Sequence, residues 1–312
     1  MKVWINGALY EEEEARISVF DAGFQHGVGL FETMLASNDV VFRARQHMER
    51  LAHSASILRL TEKLQIEPLV EALHQTLRAN NQKCARLRLT VTGGDLNMLQ
   101  KTGNSGGDPT IVIQAQPPTE YPESFYSNGV MVSIASGRIN PYDLGSGHKT
   151  LNYWGKLLNL QLAAMQQCGE SLWLTPSARV AGGSVSNLFV VKGGTLFTPI
   201  ARGEEDGGDE PSAVLPGITR DVVIELANEL GVGTSREPMT FDSVVGADEV
   251  FLTNSSWGVL PVIGLRAAVK NGESQDLQDQ AIADGSVGAL SKQLHLSYQA
   301  LLERETKAEV IF

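Results

Sequence analysis

Three prolines, Pro117, Pro118 and Pro122, stand within the run Gln116-Pro-Pro-Thr-Glu-Tyr-Pro122. Proline has no backbone N–H and a fixed φ, so neither a helix nor a central strand can pass through such a run. It therefore divides the chain into two domains, expected at 1–118 and 123–312. A chain of 312 residues is long enough to give each its own core.

The patterns on either side differ little in kind. Val3–Asn6 reads as a short strand, and Leu30–Leu35 with Val40–Phe42 as a hairpin around a Ser-Asn-Asp turn. Arg45–Arg59 has Met48, Leu51, Ala55 and Leu58 at helical spacing, and Ile66–Arg78 repeats the pattern. Ala85–Val91 and Thr110–Gln114 alternate as half-buried strands. After the prolines, strands are expected at Val130–Ile134, Ser171–Leu174, Leu188–Val191, Thr195–Phe197 and Glu249–Thr253. Helices are expected at Leu151–Gln167, from Pro216 to about Leu230, and at Leu290–Thr306. Leu158, Leu162 and Met165 share one face of the first of these. Strands with segregated helices point to an α+β fold. Ala201–Ala213, with Glu204, Glu205, Asp206, Asp209 and Glu210, reads as a solvated, mobile loop.

Charge narrows the function classes. The formal net charge is −11 and no Lys/Arg-rich run occurs, which opposes nucleic-acid binding. No stretch approaches the roughly 18 apolar residues of a membrane helix, and Met-Lys-Val-Trp-Ile-Asn-Gly lacks the apolar core of a signal peptide. Cys84 and Cys168 are far apart, without metal-ligand spacing, and read as two packed, reduced thiols of a cytoplasmic protein. No metal site is expected.

Chemistry concentrates around Lys149 in Gly147-His-Lys-Thr-Leu-Asn-Tyr153. Arg50 follows His47 by one helical turn, Leu215-Pro-Gly-Ile-Thr-Arg220 opens a helix, and Thr253-Asn-Ser-Ser256 follows a strand. Arginine, a helix N-terminus and hydroxyls are the groups that hold a phosphate dianion. A phosphate-bearing cofactor beside a lysine suggests pyridoxal phosphate bound as a Schiff base. Taken singly, Arg50 is equally a surface partner of Glu49 or Glu62, Thr219 a simple helix cap, and His148 a structural residue.

The landmarks Phe31-Glu32-Thr33, His47…Arg50-Leu51, Lys149-Thr-Leu-Asn-Tyr153, Ser184-Val-Ser-Asn187-Leu-Phe189, Leu215-Pro-Gly-Ile-Thr-Arg220 and Ala247-Asp-Glu-Val-Phe251 occur in this order over nearly the whole chain. In this the chain resembles the class IV aminotransferases, the fold type IV pyridoxal-phosphate enzymes. Branched-chain and D-amino-acid aminotransferases and aminodeoxychorismate lyase belong to that group. The resemblance implies a two-domain α+β fold like that of D-amino-acid aminotransferase, with the cofactor in the interdomain cleft, and a homodimer. It implies amino transfer between an amino acid and a 2-oxo acid. Lys149 would hold the cofactor and move the proton. Arg50, Ile218, Thr219, Asn254 and Ser255 would contact the phosphate, and Tyr153 the phenolic oxygen. Phe31 and Ser256 would line the substrate pocket. Arg86 and Arg88 share a strand face, where either could clamp a carboxylate.

One position departs from the family. A glutamate that bonds the pyridine nitrogen normally stands five residues before the asparagine of Ser-x-Ser-Asn; counting back from Asn187 gives Gly182. Glu170 and Asp206, acids on either side of it, lie outside the motif. Ser184, Ser186 or a water could face the nitrogen instead. The reactions open to such a chain are amino transfer with a weakened electron sink, a lyase reaction like that of aminodeoxychorismate lyase, or a weakly active or non-catalytic role.

Overall fold

The computed structural model describes residues 1–95, 108–207, 210–271 and 274–307. Two compact units emerge. The first comprises 1–119, 148–152 and 302–312, and the second 120–147 and 153–301.

The first unit contains β1 (Lys2–Ile5), β2 (Ala8–Glu11), α1 (Ala22–His26), β3 (Gly29–Ser37), β4 (Val40–Val41), α2 (Ala44–Ile57), α3 (Ile66–Asn80), β5 (Ala85–Thr92) and β6 (Thr110–Gln116). Its six strands form one antiparallel sheet in the order β2-β1-β6-β5-β3-β4. Alternation along β3 and β5 sends Leu30, Met34, Leu87, Leu89 and Val91 into the core. There they meet Met48 and Leu51 of α2 and Leu73 and Leu77 of α3. The opposite face carries Phe31, Thr33, Arg88 and Thr90, with Phe31 paired to Thr90 and Thr33 to Arg88. Hairpin pairing of Ala36 with Val41 and Ser37 with Val40 agrees with the turn read from sequence. Cys84 is exposed, which corrects the expectation of two packed thiols; Cys168 is buried.

Lys149 belongs to this unit as part of the short segment 148–152, although the chain on either side of that segment does not. The Phe31 N–H donates to the Lys149 carbonyl at 2.9 Å, and the Leu151 N–H donates to the Gly29 carbonyl at 2.9 Å. The expected helix over Leu151–Gln167 consequently starts later, at Trp154, because 149–151 already pairs with β3.

The second unit contains α4 (Glu123–Ser127), β7 (Val130–Arg138), α5 (Trp154–Met165), β8 (Glu170–Leu174), β9 (Val180–Gly183), β10 (Asn187–Lys192), β11 (Thr195–Thr198), α6 (Ile218–Glu229), β12 (Thr234–Arg236), α7 (Phe241–Val245), β13 (Glu249–Asn254), β14 (Gly258–Asn271), β15 (Ser274–Ala281) and α8 (Ala289–Glu305), of which the residues from 302 count with the first unit. Its nine strands run β12-β11-β10-β13-β14-β7-β8-β9, with β15 paired to β14. The sheet is mixed: β7 lies parallel to both β8 and β14, while β8 and β9 are antiparallel. Its core holds Val132, Leu172, Leu188, Leu252, Leu260 and their neighbours.

The acidic segment after β11 differs from the solvated, mobile loop expected. Arg220 of α6 is wholly buried and meets both oxygens of Glu204, at 2.9 and 2.7 Å, and donates to the Pro199 carbonyl at 3.1 Å. Glu205 accepts from the Gly203 and Ser212 N–H groups, and Glu210 from Ser177. A buried guanidinium must have a partner, and Glu204 is that partner. Asp209 lies outside the described residues.

Candidate active site

On the open face of the first unit's sheet, two cations meet one ring. The Arg88 guanidinium carbon stands 3.9 Å from the Phe31 ring centroid, and the Lys149 Nζ stands 4.2 Å from it. An aromatic face holds a cation by its quadrupole, so Phe31 orients both groups without neutralising either. Arg86, on the same face, donates instead to Gln116 Oε1 at 2.9 Å. Of the two strand arginines, Arg88 is therefore the one brought beside Lys149.

Through the sheet, on its core face, lies a buried charge cluster. Glu32 is 1% exposed; it accepts from Arg50 Nε at 2.9 Å and from Arg50 Nη2 at 2.5 Å, and its Oε2 lies 2.8 Å from His47 Nδ1. Burial opposes the Glu32 charge, but the Arg50 guanidinium and the His47 contact outweigh it and hold the carboxyl at about 2. Burial pushes His47 below its ordinary value, against the pull of Glu32. Arg50 thus pairs with Glu32 of the facing strand. In sequence Glu32 stands out only within the Phe31-Glu32-Thr33 landmark; an acid at an inward position of a strand, with a His-x-x-Arg helix turn to follow, is the signal for this cluster. His148 places its Nδ1 3.0 Å from Ser54 Oγ.

In the second unit, three segments come together. Asn187 Nδ2 donates to the Leu215 carbonyl at 2.8 Å, and Asn254 Nδ2 donates to the Val185 carbonyl at 3.2 Å. The loop between β9 and β10 is in this way tied to both the start of α6 and the end of β13. Gly217 precedes α6 with an extended backbone and no side-chain cap. A Cβ there would fall 1.9 Å from Asn187 Oδ1, so any other residue would displace the Asn187 amide that anchors this loop. The first-turn N–H groups at Ile218 and Thr219 have no intrahelical acceptors, and Thr219 is buried. Asn254 Oδ1 accepts from the Ser256 and Trp257 N–H groups, at 2.8 and 3.0 Å, which turns the chain at Ser255. The adjoining Thr253 hydroxyl is buried without a partner among the described residues. Uncapped helical N–H groups beside hydroxyls form a cradle that fits a phosphate. Tyr153, which precedes α5, has Lys156 Nζ 5.2 Å from its ring centroid.

Gly182 lies in β9 with φ +89°, in the left-handed half of conformational space. A Cβ there would sit 2.8 Å from the Ser186 carbonyl oxygen. A glutamate cannot simply be written back at this position, because both backbone conformation and space oppose it.

Glu170, outside the motif in sequence, is inside it in space. It is fully buried at the start of β8, where its Oε1 accepts from the Ser171 and Ser184 N–H groups at 2.8 and 3.1 Å. Its Oε2 accepts from the Val185 N–H at 3.1 Å and from the Ser186 hydroxyl at 2.9 Å. Burial pushes its pKa up, with these donors pulling it back. Burial likewise lowers the pKa of Lys156, while Glu170 raises it. The antiparallel pairing of β8 with β9 accounts for the contact, and no local sequence pattern announces it.

No helix among the described residues is long and apolar enough to cross a membrane. Among them, too, no three His, Cys, Asp or Glu side chains are disposed to hold a metal ion.

Comparison with known proteins gives one direction. Residues 29–265 match the profile of the family described as amino-transferase class IV. A putative branched-chain-amino-acid aminotransferase of Methanocaldococcus jannaschii is 35% identical over 272 residues, covering 87% of this chain and 90% of the relative. The crystal structure of the Escherichia coli branched-chain amino acid aminotransferase superposes with a TM-score of 0.83 at 28% identity, over 99% of this chain and 97% of that one. The 4-amino-4-deoxychorismate lyase of Pseudomonas aeruginosa superposes with a TM-score of 0.77 at 25% identity, over 99% and 100% of the two chains.

Proposed function

Because this chain belongs to the class IV aminotransferases, and is therefore an α+β enzyme of fold type IV that uses pyridoxal phosphate, we propose that it transfers amino groups between an amino acid and a 2-oxo acid, with Lys149 as the residue that holds the cofactor. When bound, the cofactor supplies an aldehyde to carry the amino group and a ring to draw electrons from the substrate's α-carbon. The residues Ile218, Thr219, Asn254 and Ser255 fit the phosphate, as the uncapped start of α6 and the buried hydroxyl of Thr253 indicate. Arg50 joins them in this reading, its guanidinium fixed in orientation by Glu32. Tyr153 takes the phenolic side.

The observation that carries the reading is the shared contact of Lys149 and Arg88 with Phe31. Lys149 takes and returns the α-proton, and a guanidinium nearby attracts the carboxylate that every amino acid and 2-oxo acid carries. Phe31 is assigned to the substrate side of Lys149, and Ser256 is likewise assigned a substrate contact. The decisive experiment is borohydride reduction of the holoenzyme followed by peptide mapping. The pyridoxyl group is expected on Lys149; finding it on Lys156, the half-buried amine beside Tyr153, would overturn the assignment. Lys149→Ala is expected to lower the amino-transfer rate by at least about a thousandfold, since both the tether and the proton carrier are lost.

A second reading, a lyase that releases pyruvate from aminodeoxychorismate, is favoured by the absence of a carboxylate at Gly182 and by the likeness to the lyase fold. Pyruvate formation without any 2-oxo acid acceptor selects it over amino transfer.

A homodimer is part of the proposal. On α5, Trp154, Leu157, Leu158, Leu162 and Met165 are exposed, Met165 at 81%. The expected apolar face exists but faces outward, where only Asn159 and Ala163 of the helix are buried. Such a patch marks a contact surface, and a second copy of the chain is the occupant proposed. Leu158→Asp with Leu162→Asp is expected to give a monomer by light scattering with unchanged circular dichroism. A monomeric parent protein would sink the idea.

A further inference from the structure

We propose that a cavity of about 260 Å³ in the second unit binds a small organic cation, an ammonium group carried on an apolar body. None of its lining residues is among those assigned to cofactor or substrate, so the inference goes beyond the proposed function and does not rest on it.

The fold leaves this space between three fixed pieces of chain. One wall is the turn from β8 into β9, with Thr175, Arg179, Val180 and Ala181. The second is Pro238 and Met239 before α7, joined to β9 where the Val180 N–H donates to the Met239 carbonyl at 2.8 Å. The third is the acidic segment after β11, which closes on itself. There the Ser212 hydroxyl donates to the Ile200 carbonyl at 2.6 Å, and the Arg202 N–H to the Val214 carbonyl at 2.9 Å. The Ser177 hydroxyl donates to Glu210 at 2.8 Å, which ties the segment to the β8–β9 turn. These bonds hold the walls apart.

Most of the lining is apolar. Pro199, Pro211 and Pro238 have no backbone N–H to leave unsatisfied, and Ile200, Val214 and Met239 add aliphatic surface. A concave, mostly apolar space with a few charged groups is the usual form of a small-molecule site. A cavity of about 150 Å³ takes up benzene, and by proportion this one holds a body of about ten non-hydrogen atoms.

Charge decides the occupant. Arg179, Glu205, Asp206 and Glu210 face the cavity. Arg179 Nε lies 3.3 Å from Glu210 Oε2, and this pair cancels. Burial opposes the Glu205 charge, but the N–H donors at Ser212 and Gly203 outweigh it and lower the pKa. Arg202, outside the lining, offsets part of that charge. Asp206 is exposed and has no hydrogen-bond or ion-pair partner among the described residues. The lining thus sets three carboxylates against one guanidinium, and beside apolar walls the excess attracts a cation and repels an anion. Among the described residues no three His, Cys, Asp or Glu side chains are disposed to hold a metal ion. The cation that fits is therefore organic, with its charge at the acidic rim and its body on the aliphatic wall.

The test is methyl NMR of the holoenzyme labelled at methionine, with the Met239 signal assigned through Met239→Leu. The probe is isopentyltrimethylammonium, whose nitrogen cannot form an imine with the cofactor. A saturable shift of the Met239 signal is expected, and a weaker response to 3-methylbutanol, which has the apolar body without the charge. Asp206→Asn should weaken the ammonium by about 2- to 5-fold, the range for an exposed charge pair, and leave the alcohol unchanged. Ile200→Trp should abolish both responses by filling the space; should it fail to fold, Asp206→Asn, at an exposed position, still decides. A silent Met239, an alcohol response as strong as that of the ammonium, or an ammonium response indifferent to Asp206→Asn overturns the proposal. An equal response to magnesium chloride would reduce the site to a diffuse acidic surface and overturn it as well.

Discussion

Glu32→Ala is expected to lower folding stability by about 3–5 kcal/mol and to weaken cofactor binding with it. The estimate follows from what remains: Arg50 would keep its charge in a site where Glu32 is 1% exposed and Arg50 itself is largely covered. Removing one partner of a buried ion pair leaves the other uncompensated, and this is the costly operation. Glu32→Gln separates charge from shape, since an amide can still accept from Arg50 Nε but brings no negative charge. Urea unfolding of both variants, followed by cofactor absorbance, measures the effect; a loss under about 1 kcal/mol for the alanine variant would remove the cluster from the account.

The same cluster sets an acid limit. Glu32 is depressed from 4.5 to about 2, so its contribution is complete above the unfolded value and is lost as pH falls from about 4.5 toward 2. A shift of that size corresponds to about 3 kcal/mol. His47 is also lowered, so its contribution is complete above 6.5 and declines as pH falls below it. Glu170 is raised and acts in the opposite sense, adding stability at low pH that is lost as pH rises through its folded value. In Glu32→Gln the acid limb below pH 4.5 should flatten.

Glu170→Ala is expected to cost about 3–5 kcal/mol and to loosen the loop from Gly183 to Ser186. The Ser171 and Val185 N–H groups and the Ser186 hydroxyl would lose the carboxylate at a residue with no exposure, and the Ser184 N–H would keep only the Ser171 carbonyl; each unsatisfied buried group costs about 1–3 kcal/mol before relaxation. Glu170→Gln keeps one acceptor oxygen where two are used, so a loss of roughly half is expected. Thermal unfolding reads the stability change. An alanine variant as stable as the parent would mean that the loop finds other acceptors.

Much of the fold can be read in the sequence where one face of an element is apolar. The α2 and α3 helices, the β3–β4 hairpin and β5 appear within a few residues of their expected bounds, because their inward residues recur at periods of 3.6 or 2. The β14–β15 hairpin is invisible to the same reasoning. Ser274–Ala281 reads SQDLQDQA, a polar run that pairs along β14 and is exposed from Asp276 to Ala281. On α5 the apolar stripe was legible, but not that it points outward. The acidic segment misled for a related reason: composition describes a loop in water, whereas Glu204 is drawn in by a buried arginine sixteen residues later. At the site, motif order brought Lys149, Arg50, Thr219 and Gly182 forward. Glu32 and Glu170 needed tertiary packing, the first against α2 and the second through the pairing of β8 with β9, since each acts on residues distant in sequence.

The pairing of 149–151 with β3 also bears on motion. Residues between elements ordinarily open at little free-energy cost, and their amides exchange with solvent quickly. Lys149 lies between elements in sequence but is hydrogen-bonded through its carbonyl to Phe31, and Leu151 is bonded to Gly29. Releasing the lysine therefore means breaking the margin of a strand that also carries Glu32 and pairs with β5 from Gly29 to Ala36. The backbone of the lysine proposed to hold the cofactor is thus held with the persistence of a sheet.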